Sequence, residues 1–82
     1  MIEHVTYGQL DRLLHRLEFA DVPVRSNWKG YRHTKSDTII LLPDRQPTAP
    51  VRAPELISVR RHLVEKAIVS EDEVDRLLTQ AA

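Results

Sequence analysis

Ser26-Asn27-Trp28-Lys29-Gly30-Tyr31-Arg32-His33-Thr34-Lys35-Ser36-Asp37-Thr38-Ile39-Ile40-Leu41-Leu42-Pro43 is the stretch on which the reading of the chain turns. Two runs of strand-forming residues flank a polar, turn-like Thr34-Lys35-Ser36-Asp37, which predicts two antiparallel strands and the turn between them. In the first run, Trp28 to His33, side chains alternate: Lys29, Tyr31 and His33 share one face, Trp28, Gly30 and Arg32 the other. Its aromatic, cationic and imidazole side chains are groups that handle phosphates and bases. The second run, Thr38 to Leu42, is the most apolar of the chain. Being apolar on both faces, it predicts a strand covered by helices on one side and by side chains on the other.

Working upstream, Asn27 is a turn residue, and Val22-Pro23-Val24-Arg25 has a β-type alternation. Pro23 cannot donate to a ladder, so this strand belongs at a sheet edge. Before it, Thr6 and Gln9 have the spacing of a capping box, and Val5 and Leu10 that of a hydrophobic staple. Leu10, Leu13, Leu14 and Leu17 then form one apolar stripe, predicting a helix from Thr6 to about Glu18. Gly8 in its first turn costs helix stability.

Downstream, Pro43, Pro47, Pro50 and Pro54 make a stiff loop. Pro54 suits the first position of a second helix, predicted to run to about Ala67 on a stripe of Leu56, Val59, Leu63 and Ala67. Ser70 and Glu73 read as a second capping box, Val69 and Val74 as a second staple. Val74, Leu77 and Leu78 give a third helix its apolar face, and Thr79 to Ala82 are expected to fray. The fold class is therefore α+β, in the order α-β-β-β-α with an added short C-terminal helix. The economical packing is a three-stranded antiparallel sheet with the two longer helices on one face, in a single domain over residues 1–82.

Composition narrows the function classes. Without cysteine there are no disulfides, thiolate metal sites or cysteine nucleophiles. Twelve Lys/Arg balance twelve Asp/Glu, which argues against a simple polyanion binder. The middle of the chain is nevertheless basic: residues 24–66 hold nine Lys/Arg against four Asp/Glu. No apolar run reaches the length of a membrane span, and residues 1–10 lack the core of a signal peptide, so the expectation is a cytoplasmic protein. His4, His15 and His62 have no partner at a metal-ligand spacing, and the lone pair of His15 and Glu18 is weak. No metal and no cofactor is expected.

Taken together, Tyr7-Gly8-Gln9-Leu10 through Leu17-Glu18-Phe19, Gly30-Tyr31-Arg32-His33 through Leu41-Leu42-Pro43, and Leu56 through Leu63 resemble the HicA toxin family, small bacterial mRNA interferases of toxin–antitoxin pairs. The resemblance implies a fold like that of double-stranded RNA-binding domains (dsRBD-like), RNA as a partner, a HicB-like antitoxin protein as another, and metal-independent RNA cleavage. HicA proteins carry a Gly-Ser-His triplet whose histidine is taken as catalytic. Registering Tyr31-Arg32-His33 on the family's second, aromatic-plus-histidine step puts Ser26-Asn27-Trp28 on the triplet, with Trp28 in the place of the catalytic histidine. The family's Leu-Gly-Phe and Lys-Gly-Ile corners are Leu17-Glu18-Phe19 and Lys66-Ala67-Ile68, which predicts another conformation at both.

His33 is the surviving catalytic candidate, near Lys29, Arg32 and Lys35; the plain alternative is a surface histidine near a turn. Trp28, Lys29, Arg32, Lys35, Arg60 and Arg61 are the candidate RNA-binding residues. Against that reading stand a core or partner-facing Trp28 and solvated charges elsewhere. Three functions follow: a HicA-like toxin that cleaves mRNA with His33 as acid and base, a catalytically degenerate RNA- or protein-binding module, and a DNA-binding helix-turn-helix. Glu71, Asp72, Glu73 and Asp75 on the third helix oppose the last, because they would meet DNA phosphates with like charge.

Overall fold

Thr6 accepts a hydrogen bond from the backbone N–H of Gln9, whose side chain accepts from the N–H of Thr6, and α1 (Tyr7–Arg16) begins there. The computed structural model describes residues 5–81; His4 and Ala82 lie outside them. After α1 come β1 (Phe19–Val22), β2 (Trp28–His33), β3 (Thr38–Pro43), α2 (Ala53–Glu65) and α3 (Glu71–Ala81). The strands form one open antiparallel sheet in the order β1-β2-β3. This is the α+β layout that the hydrophobic patterns predict.

The register places Phe19 opposite His33 and Tyr31 opposite Ile40. One face of the sheet therefore carries Phe19, Tyr31, His33, Thr38, Ile40 and Leu42, all buried. Against it lie the α1 leucines Leu10, Leu13 and Leu14, with Val59 and Leu63 of α2 and Val74 and Leu78 of α3 completing one core. The residues of both staple pairs, Val5 with Leu10 and Val69 with Val74, are buried in this core.

Several boundaries differ from the sequence expectations. β1 is Phe19–Val22, not Val22–Arg25. Burial of Phe19 in the core sets its register, and Pro23 falls just past the strand, where no ladder donor is needed. β3 is covered on one face only: Ile40 and Leu42 are buried, Ile39 and Leu41 exposed. α2 starts at Ala53, one residue before Pro54, and ends at Glu65. α3 continues to Ala81, with the Thr79 hydroxyl donating back to the Asp75 carbonyl, so the helix includes Thr79 to Ala81 where the sequence suggested a frayed end. At 11 residues against the 10 of α1 it is no shorter a helix, and it packs on α1 and α2. Only half of the second capping box forms: Ser70 Oγ accepts from the Glu73 N–H, while the Glu73 carboxylate turns to Arg76.

The corners after α1 and α2 also depart from expectation. Glu18 has φ 72° and Ala67 φ 56°, so both keep the left-handed conformation that glycine usually supplies. At Ala67 the closure is a Schellman pair: Ala67 N–H donates to the Val64 carbonyl and Ile68 N–H to that of Leu63, both at 3.0 Å. Such a residue carries a cost of about 1–2 kcal/mol relative to glycine.

The proline loop is tied to the start of α1. Tyr7 and Gly8 donate their N–H groups to the carbonyls of Ala49 and Pro47, and Val51 donates to that of Val5. A Cβ on Gly8 would lie 2.9 Å from the Pro47 Cβ. Close approach of the loop therefore requires glycine there, which accounts for a residue that otherwise weakens the helix.

Candidate functional site

On the uncovered face of the sheet, Ala20 and Val22 of β1, Trp28, Gly30 and Arg32 of β2, and Ile39 and Leu41 of β3 stand in register. Trp28, the only tryptophan, is 50% exposed, with Val24 and Leu41 exposed beside it and Ile39 exposed further along β3. Gly30 is the floor: a Cβ there would come within 2.7 Å of a Val22 methyl and 2.8 Å of a Val24 methyl. Those two valines therefore lie over the strand, and Val24, Arg25, Trp28 and Leu41 line a shallow apolar hollow.

His33 belongs to the other face. It is 8% exposed, so it is not the surface histidine that its place beside a turn suggests. Its ring lies 5.1 Å from that of Phe19. Nδ1 faces the Ser36 hydroxyl at 2.8 Å and accepts the Ser36 backbone N–H at 3.3 Å. Ser36 Oγ is in turn 2.7 Å from Thr38 Oγ1. An accepting Nδ1 assigns the proton of the neutral ring to Nε2. Among the described residues no buried side-chain nitrogen or oxygen lacks a partner, and Nε2 has none, so it reaches accessible surface. What it reaches is a cleft of about 480 Å³ between the end of α1, the β2–β3 turn and the α2–α3 turn. Arg16, Glu18, Lys35, Ser36, Lys66 and Ala67 are among its walls.

The candidate RNA-binding residues do not share one surface. Trp28 and Arg32 face outward on the sheet, and Arg32 is held by Asp37 at 2.8 Å. Lys29 points to the helix side, 3.3 Å from Asp11. Lys35 sits in the turn, 3.6 Å from Glu18, and does border the His33 cleft. Arg60 on α2 bonds Asp75 of α3 at 2.9 Å, and the neighbouring Arg61 is exposed. Four of these five cations are thus neutralised within the chain.

Sequence reasoning missed two groupings. Arg16 and Lys66, from the ends of α1 and α2, join the His33 cleft although they are 50 residues apart. Asp11, His15 and Asp21 form the other: each offers a ligand atom within 4.8 Å of the others. They are the described residues placed to share a cation, and the i, i+4 spacing of Asp11 and His15 was the readable part. Asp21 Oδ1 lies 2.9 Å from His15 Nε2, and Asp11 Oδ2 3.3 Å from Nδ1. The other Asp11 oxygen accepts the Tyr31 hydroxyl at 2.6 Å. Burial opposes ionisation of Asp11, yet the Tyr31 hydrogen bond, Lys29 and His15 outweigh it and hold the carboxyl below its ordinary value. Burial and that same carboxylate push the Tyr31 phenol up. Tyr7 is raised by burial and by its bond to Glu55.

Comparison with family models, with curated proteins and with solved structures finds no match to the chain. No helix among the described residues is long and apolar enough to cross a membrane.

Proposed function

We propose that the chain is a HicA-like domain of dsRBD-like fold that works as a protein-binding module, pairing with a HicB-like partner through the open face of its sheet, and that it does not cut RNA. One observation carries this reading: Trp28, Val24, Ile39 and Leu41 are exposed together on one uncovered face. Contiguous exposed apolar groups of this kind mark contact surfaces, and tryptophan is among the residues most enriched at their energetic centres. The aliphatic neighbours favour a protein over bases, which stack on aromatic rings. The indole of Trp28 can neither accept nor deliver the protons of RNA cleavage, whereas imidazole can do both near neutral pH.

Co-expression with the product of the adjacent reading frame tests the proposal. The expected result is a stable complex that is lost in Trp28→Ser and Leu41→Ser, together with normal growth and intact mRNA when the chain is induced alone. Copurification that is indifferent to both substitutions defeats the proposal.

A second reading, an mRNA endoribonuclease with His33 as acid and base, draws on the opening of His33 Nε2 into a cleft with three cations. Growth arrest and mRNA loss on induction, both abolished by His33→Ala, would favour it.

A further inference from the structure

The cleft at His33 carries chemistry that the open sheet face does not use. Its floor offers an N–H donor at His33 Nε2, because Nδ1 is occupied by Ser36. Its rim offers Arg16, Lys35 and Lys66 against the single carboxylate of Glu18, a formal balance of two positive charges. Arg16 and Lys66 have no carboxylate within ion-pair distance among the described residues, in contrast to Lys29, Arg32 and Arg60. Leu17 and Ile68 add apolar wall.

The backbone points to the same place. Glu18 and Ala67, both in the left-handed region without being glycine, line this cleft, whereas the other two such residues, Asn27 and Asp37, are of types that adopt this region readily and are not among its walls. Strain of this sort gathers at working sites, where the surroundings hold it in place. At about 480 Å³ the cleft falls in the range of small-ligand sites, about 300–1,000 Å³, and exceeds what a bare oxyanion fills.

We infer that this cleft binds a phosphate monoester of nucleotide size, with Arg16, Lys35 and Lys66 around the phosphate and His33 Nε2–H donating to one of its oxygens. Charge-assisted hydrogen bonds from guanidinium and ammonium groups are the strong contacts such an anion needs. The phosphate can belong to a free nucleotide or to the end of an RNA chain, because both present the same dianion. This site lies across the sheet from Trp28, so it stands or falls independently of partner binding.

The test uses the isotope-labelled whole chain at constant ionic strength, with three probes: inorganic phosphate, adenosine 5′-monophosphate and a short 5′-phosphorylated oligoribonucleotide. The expected result is a saturable shift of the His33 ring and Ser36 amide signals, with His15 and His62 unmoved. Arg16→Gln and Lys66→Gln are each expected to weaken binding about threefold, and the double variant about tenfold, without changing the fold. A mononucleotide that binds as well as the oligonucleotide identifies the free ligand as the source; an oligonucleotide about tenfold tighter identifies an RNA end. Absence of a saturable His33 shift with all three probes overturns the inference. So does undiminished affinity in the double variant.

Discussion

Neighbouring residues of β3 meet opposite fates. Ile40 and Leu42 are 4% and 3% exposed, whereas Ile39 and Leu41 are 53% and 54% exposed. The residue types are the same and the strand is the same, so composition does not separate them; the pleat does. One face is committed to the core of α1, α2 and α3, and the other is left apolar and uncovered. Fold stability should therefore reside on one side of the sheet and binding on the other.

The largest expected effect tests that division directly. Ile40→Ala should cost about 2–5 kcal/mol of folding free energy by denaturant titration, and Leu41→Ala at most about 0.5 kcal/mol. Equal costs would mean that the outer face is packed. Next in size is Gly30→Ala, which drives a methyl into the Val22 and Val24 side chains and should cost about 1–3 kcal/mol. A smaller effect of opposite sign is expected at the corners. Ala67→Gly should stabilise by about 0.5–1 kcal/mol, once the higher entropy of the unfolded glycine is set against the relieved left-handed backbone. Loss of stability there would place the φ of residue 67 elsewhere.

The smallest effect is a pH dependence on the closed side. Tyr31 has a raised pKa in the folded state, so the native chain holds its phenolic proton more tightly than the unfolded chain does. The stability this contributes is fully present below the ordinary tyrosine value of 10.0 and is lost as pH rises above it. Asp11 has the opposite sign: its lowered pKa contributes stability above the ordinary 3.8, lost as pH falls further. Melting curves of Tyr31→Phe should be flatter than wild type at both ends of the pH range, because the pair shares one hydrogen bond.

The closed side was the readable side. Caps, staples, leucine stripes and strand alternation are local patterns, and they placed α1, β2 and most of the core. Which face of β3 would be covered was not readable, because Ile39 and Ile40 are chemically identical and only tertiary packing distinguishes them. The strand before the hairpin was misplaced because the alternation of Val22 to Arg25 outweighed one buried phenylalanine. The left-handed corners were hidden by the absence of glycine. In the site, His33 and Lys35 do border one cleft, but the partners of Lys29 and Arg60 sit 18 and 15 residues away, beyond any local pattern. Arg16 and Lys66 meet only because two helices end at the same corner of the sheet.

The open face can be interrogated through its own fluorophore, since Trp28 is the sole tryptophan. Acrylamide quenching of Trp28 emission, measured on the free chain and again with the adjacent reading frame's product, is the most direct test. The predicted result is long-wavelength, readily quenched emission from the free chain, and a blue shift with protection in the complex. Emission already shielded in the free chain, or unchanged in a complex that forms, would contradict the assignment of this face to a partner.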